Sequence, residues 1–184
     1  MKKIAVFRAL VIILYFSLCA ISTYAIIGDE PKRSQINWMS IQEAVEANKT
    51  APKKMFFDVY TDWCGWCKRM DATTFQHSKI VEYLNENYYA VKFNAESSEE
   101  ITVNGKKFTK KNRTHEFAIE MLQGKLSYPS FAIYDESQAN IGIVQGFKSA
   151  QDLEKILNYF GSNIYKIKSW DEYNSNFKGN KQLK

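Results

Sequence analysis

Residues 55–70, Met-Phe-Phe-Asp-Val-Tyr-Thr-Asp-Trp-Cys-Gly-Trp-Cys-Lys-Arg-Met, constrain this chain more than any other stretch. Met55 to Tyr60 is an apolar run of strand length broken by one acid, Asp58, and such a run suits a strand covered on both faces. Thr61 and Asp62 make a short turn. Trp63-Cys64-Gly65-Trp66-Cys67-Lys68 then opens a helix, and its cysteines, three apart, share one face if the helix begins at Cys64. Two thiols placed that way can close into a small disulfide. The first helical turn has unpaired backbone N–H groups and the positive end of the peptide dipole, and both favour a thiolate over a thiol. Cys64 is therefore the candidate nucleophile, and Cys67, one turn in and more shielded, the candidate resolving thiol. The same spacing also serves as half of a zinc site. Further ligands are scarce: the third cysteine is Cys19, and His77 and His115 are isolated rather than a spaced pair. Dithiol chemistry is the favoured reading.

The 184 residues are 45% hydrophobic, enough for one compact core and too few for two ordinary domains. Residues 1–25 differ from the rest. Lys2, Lys3 and Arg8 precede the apolar stretch Ala9 to Ile21, and Thr23-Tyr24-Ala25 places small residues where a signal peptidase cuts. The apolar stretch is shorter than the roughly 20 residues of a spanning helix, so cleavage after Ala25 is favoured over an anchor. Only an uncleaved segment would tie the chain to a membrane. Bulky Leu18 before Cys19 argues against a lipid-modified cysteine. Cleavage removes three bases and no acid, which lowers the net charge from +5 to +2, too weak a balance to argue for nucleic acid. It also removes Cys19, leaving an exported chain whose remaining pair, Cys64 and Cys67, is there for exchange rather than as one of several staples.

Residues 26–37 read as a polar leader. Ser40-Ile41-Gln42-Glu43 is a capping-box pattern opening a short helix with Ile41, Ala44 and Val45 inward, and Trp38 is expected to pack on that helix. The helix ends by Asn48 to Pro52. After the Cys67 helix, a periodic stretch from Ser78 carries Ile80, Val81, Tyr83 and Leu84 inward, and Tyr88 to Asn94 turns strand-like around a charged intruder, Lys92. Strand, helix, strand in that order suggests a parallel crossover placing the two strands side by side. Asp58 and Lys92 would then pair, with an outward-facing Lys92 as the alternative. Ile101 to Phe108 reads as a hairpin turning at Asn104-Gly105, and Glu116 to Gln123 as a helix ending at Gly124. Phe131 to Tyr134 and Ile141 to Val144 form an antiparallel hairpin. Ser149 caps the last major helix, striped with Leu153, Ile156, Leu157 and Phe160. Trp170, Tyr173 and Phe177 in the tail share a helical face that packs onto their own domain.

Asp58, six residues before Cys64, with Trp63-Cys64-Gly65 and Cys67-Lys68, resembles the thioredoxin superfamily. Lys92 falls where that family has a lysine beside its buried aspartate, Tyr128-Pro129-Ser130 looks like the cis-proline loop, and Gly146 matches a glycine before the final helix. Within the superfamily the chain looks closer to secreted thioredoxin-like proteins and to the C-terminal domain of the membrane thiol:disulfide interchange protein than to the cytosolic reductant. Trp66 departs from the pattern, since thioredoxins carry proline there. The resemblance implies an α/β fold, a central mixed sheet flanked by helices, over residues 38–161, with an insertion at about 97–125 before the cis-proline loop and a C-terminal extension at 162–184.

It also implies an exported thiol:disulfide oxidoreductase, periplasmic or extracytoplasmic, needing no cofactor beyond the Cys64–Cys67 disulfide. Asp58, desolvated in its strand, would have a raised pKa and accept or return a proton near neutral pH, supported by Lys92. Its alternative role is a satisfied structural acid. Trp63, Gly65, Trp66, Tyr128 and Pro129 would bind substrate, with Trp63 equally readable as core. Partners would be protein thiols and disulfides and an upstream redox protein, with no nucleic acid and a monomeric state. With no charged residue between the cysteines, reductase or isomerase work is favoured over oxidation. The alternatives from other classes are a non-catalytic binding or chaperone module and a zinc-bridged dimer.

Overall fold

The computed structural model describes residues 35–177. The signal-like segment 1–25 with Cys19, the leader up to residue 34 and the last residues of the tail lie outside that range.

β2 (Lys54–Tyr60) is the middle strand of a five-stranded mixed sheet. β3 (Tyr88–Asn94) runs parallel to it on one side, with the two-residue β1 (Trp38–Met39) parallel to β3 beyond. β8 (Ser130–Tyr134) is antiparallel to β2 on the other side, and β9 (Asn140–Gln145) is antiparallel to β8 at the edge. Every β2 residue from Lys54 to Val59 is buried, as the apolar run predicts. Alternation along the strand feeds two cores. Phe56 points into one with Met70, Leu84, Phe131, Leu153 and Leu157, under α2 (Gly65–Ala72), α3 (Ser78–Asn87) and α5 (Ala150–Gly161). Met55, Phe57 and Val59 point into the other, with Ile41, Ala44, Met121 and Leu122, under α1 (Ile41–Thr50) and α4 (Glu116–Met121).

The local signals act as expected at most element ends. Ser40 and Glu43 close a full capping box: the Ser40 hydroxyl accepts the Glu43 N–H at 3.2 Å, and the Glu43 carboxylate accepts the Ser40 N–H at 2.7 Å. β4 (Ile101–Val103) and β5 (Lys106–Phe108) form the expected hairpin. Its turn residues Asn104 and Gly105 have φ of 50° and 77°, the left-handed pair that an Asn-Gly turn supplies at little steric cost. A second small ladder, β6 (Lys110–Lys111) with β7 (Thr114–His115), leads into α4. Ser149 caps α5 through the Asp152 N–H. In α6 (Trp170–Asn176), Trp170 and Tyr173 pack on Tyr159 with ring centroids 5.2 Å away in each case.

Three expectations change. Trp38 does not pack on α1: its ring meets Phe75 edge-on at 5.2 Å, on the opposite face of the sheet from Ile41 and Ala44. As a β1 residue paired with Ala90, it takes the face that strand alternation assigns to it. α4 stops at Met121, two residues early, and Gln123 and Gly124 turn through positive φ. The end of the leader is anchored, with Ile36 buried and Asn85 bridging the Asn37 N–H and the Gln35 carbonyl, each at 2.9 Å. Among the described residues no helix is long and apolar enough to cross a membrane.

Candidate redox site

β2 and α2 meet at the cysteines. The Cys64 N–H donates to the Thr61 carbonyl at 3.1 Å, which tightens the turn, and Cys64 sits in extended conformation as the N-cap of α2. Its Sγ accepts the Cys67 N–H at 3.1 Å. The sulfur thus satisfies one of the orphan donors at the helix start. Cys64 and Cys67 form a disulfide of 2.07 Å. The expectation that Cys67 is the more shielded of the two is not met, since both residues are 4% exposed.

In the sheet that leads to the disulfide, Asp58 and Lys92 are register partners in β2 and β3. The Lys92 ammonium donates to Asp58 Oδ2 at 3.2 Å and also to Asp71 on α2. It lies over the rings of Trp38, Tyr60 and Phe75, 5.1 to 5.6 Å from their centroids. The outward-facing alternative for Lys92 is excluded by this placement. Burial pushes the Asp58 carboxyl up to about 6, against the lowering pull of Lys92. Burial pulls Lys92 down, yet the two carboxylates more than offset it and hold the ammonium above its ordinary value. Asp58 Oδ1 is buried without a hydrogen-bond partner among the described residues.

The Tyr128–Pro129 bond is cis. The Pro129 carbonyl accepts the Gly146 N–H at 2.8 Å, and the Gln145 amide donates to the Lys125 carbonyl at 2.8 Å and to Ser127 Oγ at 2.9 Å. The edge strand β9 therefore holds the proline loop at both ends. Trp63 and Trp66 flank the disulfide and are 67% and 58% exposed, which overturns the reading of Trp63 as core. Trp63 meets Tyr128 edge-on at 5.9 Å, and Trp66 tilts against Phe147 at 5.3 Å. Gly65 begins α2, exposed, and among the described residues a Cβ there would meet nothing within 4 Å, so no close approach within them requires glycine at that position.

Sequence reasoning missed Asp71, Glu96 and Phe147. Asp71 had a signal, four residues after Cys67 on the same helical face. Glu96, whose carboxylate accepts the Trp63 indole N–H at 3.1 Å, and Phe147 had none. Among the described residues no group of three or more His, Cys, Asp or Glu side chains could hold a metal.

A sulfur pair at a helix N-terminus, backed by a buried acid and lysine and bordered by a cis-proline loop, is built to trade its disulfide with another, and the class it defines is a thiol:disulfide oxidoreductase. The profile of the thioredoxin-like domain family matches residues 41–161, and the chain belongs to that family. Among solved structures it is similar to a thioredoxin-fold protein from Helicobacter pylori, at 17% identity and a TM-score of 0.52 over 67% of this chain and 78% of that one. It is similar to a DsbH oxidoreductase at 19% identity and a TM-score of 0.51, over 73% and 90%. The C-terminal domain of DsbD from Neisseria meningitidis, oxidised, is more distant in shape, at 20% identity and a TM-score of 0.45 over 66% and 90%. The first two likenesses carry the fold. A search of the curated proteins finds no match.

Proposed function

We propose that the protein is exported and reduces or isomerises disulfides in other proteins, with Cys64 as attacking sulfur and Cys67 as resolving sulfur. The observation that carries the assignment of roles is the hydrogen bond from the Cys67 N–H to Cys64 Sγ at the start of α2, because that donor and the helix dipole stabilise charge on Cys64. In the reduced protein the Cys64 thiolate attacks a substrate disulfide, a mixed disulfide forms, and one substrate sulfur leaves as a thiolate that takes a proton. Cys67 then gives its proton to the Asp58 carboxylate and attacks the Cys64 sulfur. The second substrate thiol is released and the Cys64–Cys67 disulfide closes. Two electrons have passed to the substrate, and a dithiol on an upstream redox protein returns them.

Lys92 holds Asp58 in place for that proton transfer, and Trp63, Trp66, Tyr128 and Pro129 form the surface on which an extended substrate segment lies. Gly65 borders the same surface. The direction follows from Trp66, which brings no charge between the cysteines to favour the reduced thiolate. Export is supported by the sequence of residues 1–25 and by the two remaining cysteines forming one pair. The test is the reduction potential of the full-length protein against a glutathione series, with the 64–67 disulfide read by mass. A value near about −270 mV fits a reductant, one near about −120 mV reverses the direction, and no reversible disulfide at any poise leaves a non-catalytic binding module.

A further inference from the structure

The sheet places two differently charged margins beside the disulfide. β3 is parallel to β2, and β9 is antiparallel to β8, which is itself antiparallel to β2. All three strands β2, β3 and β9 therefore end at the same edge of the sheet, where the Cys64 turn lies. The strand order puts β3 on one side of β2 and β9 on the other, so the chain following each borders the disulfide from opposite sides.

On the β3 side stands Glu96, holding the Trp63 indole at 3.1 Å, and Asp62, whose carboxylate accepts the side-chain amide of Asn94 at 3.1 Å. On the β9 side stands Phe147 against Trp66, followed by Lys148, while the Arg69 guanidinium lies 5.9 Å from the Trp66 ring centre. Lys148 donates to the Gln145 carbonyl at 2.7 Å. Among the described residues none of Asp62, Glu96, Arg69 and Lys148 forms an ion pair, whereas nine other pairs are formed across the molecule. On the β3 side the Lys110 ammonium also donates to the Glu96 carbonyl at 2.6 Å, and the two acids outnumber it; the order of charge across the face is acid, indole, disulfide, indole, base.

We infer that this face selects among protein disulfides by charge order: it takes a segment whose cysteine has a basic side chain on one flank and an acidic one on the other, in a single orientation. This rests on the proposed role of Cys64 and names the substrate class for it. The two indoles accept apolar side chains next to the cysteine from either direction, whereas strand pairing along the Tyr128–Pro129 segment fixes the direction of the chain. With that direction set, the charges decide which sequence order fits, because the reversed order brings acid to Glu96 and base to Arg69, and repulsion against the wrong arrangement discriminates as much as attraction for the right one.

The test uses the reduced full-length protein and three disulfide-linked peptide homodimers that differ only in the residues two places either side of the cysteine: lysine before and glutamate after, the reverse order, and serine at both. One protein dithiol reduces one peptide disulfide to two thiols, and the second-order rate is read by mass. One charge order is expected to react about fivefold faster than the other at low ionic strength, and the ratio to fall toward one at about 1 M salt. In the double variant Glu96→Arg with Arg69→Glu the original preference disappears, because Asp62 and Lys148 now each face an opposite charge on their own side, while the serine peptide reports that the altered protein remains reactive. Equal rates for both orders in the unaltered protein, or a preference that the double variant retains, overturn the inference and leave the oxidoreductase reading standing. No reaction with any of the three peptides overturns that reading, and the inference with it.

Discussion

Replacing Asp58 by asparagine should stabilise the oxidised protein, and do so mainly above pH 6. The carboxyl titrates at about 6 in the fold against an ordinary 3.8, chiefly because it is desolvated. Its folded-state value is raised, so between the two values the unfolded chain loses its proton first and folding is progressively penalised. Below 3.8 both states are protonated and there is no penalty; above about 6 the penalty is complete. At about 1.4 kcal/mol per pH unit, the ionised form costs the fold about 3 kcal/mol at pH 8 and under about 1 kcal/mol at pH 4. Asparagine keeps the shape and removes the charge, and Lys92 retains Asp71 as a partner. Urea unfolding of wild type and Asp58→Asn at pH 4 and pH 8, with the disulfide intact, measures the difference directly. A gain at pH 8 that exceeds the gain at pH 4 by about 2 kcal/mol is the expected result. The same gain at both pH values, or a loss at pH 8, would refute the view that Asp58 is an ionisable group held in the sheet at the expense of stability. The variant should also slow resolution of the mixed disulfide, since Cys67 loses its proton acceptor.

Cys67→Ser should accumulate a mixed disulfide on Cys64, visible as a mass adduct with a substrate peptide, and Cys64→Ser should form none; the reverse pattern would exchange the two roles. Phe56 is fully buried between Phe75, Tyr88 and Phe131, and Phe56→Ala should cost about 3 to 5 kcal/mol in urea unfolding, a loss below about 1 kcal/mol meaning that the core under α2 and α3 closes over the cavity. Ser40→Ala removes half of the capping box and should cost about 1 kcal/mol, with no change in the redox potential because α1 lies on the far face from the disulfide.

Much of the fold is legible because its signals are local. The continuous apolar run of β2, the Ser40–Glu43 box, the Asn104-Gly105 turn and the stripe of α5 each follow from backbone sterics and periodicity within a few residues. The cysteines at the start of α2 are of the same kind, since three-residue spacing at a helix N-terminus sets their chemistry wherever the helix sits. Trp38 shows where this stops: its aromatic character marks it as a packing residue, but the face it packs on depends on β1 joining β3.

What residues 55–70 determined alone was a buried acid-bearing strand, a thiolate-favouring helix start and a pair of sulfurs able to close. The tertiary structure decided the rest of the site, because its members are far apart in the chain. Only the β2–β3 register brings Lys92 to Asp58, and only the seating of α2 over β3 adds Asp71. Whether Trp63 is core or surface depended on what covers it: the edge of Tyr128 and the carboxylate of Glu96 meet it, and it stays 67% exposed. Of the opposed charges either side of the disulfide, Asp62 and Arg69 come with the cysteine stretch, but Glu96 and Lys148 join them only through strand order, a property of the assembled sheet.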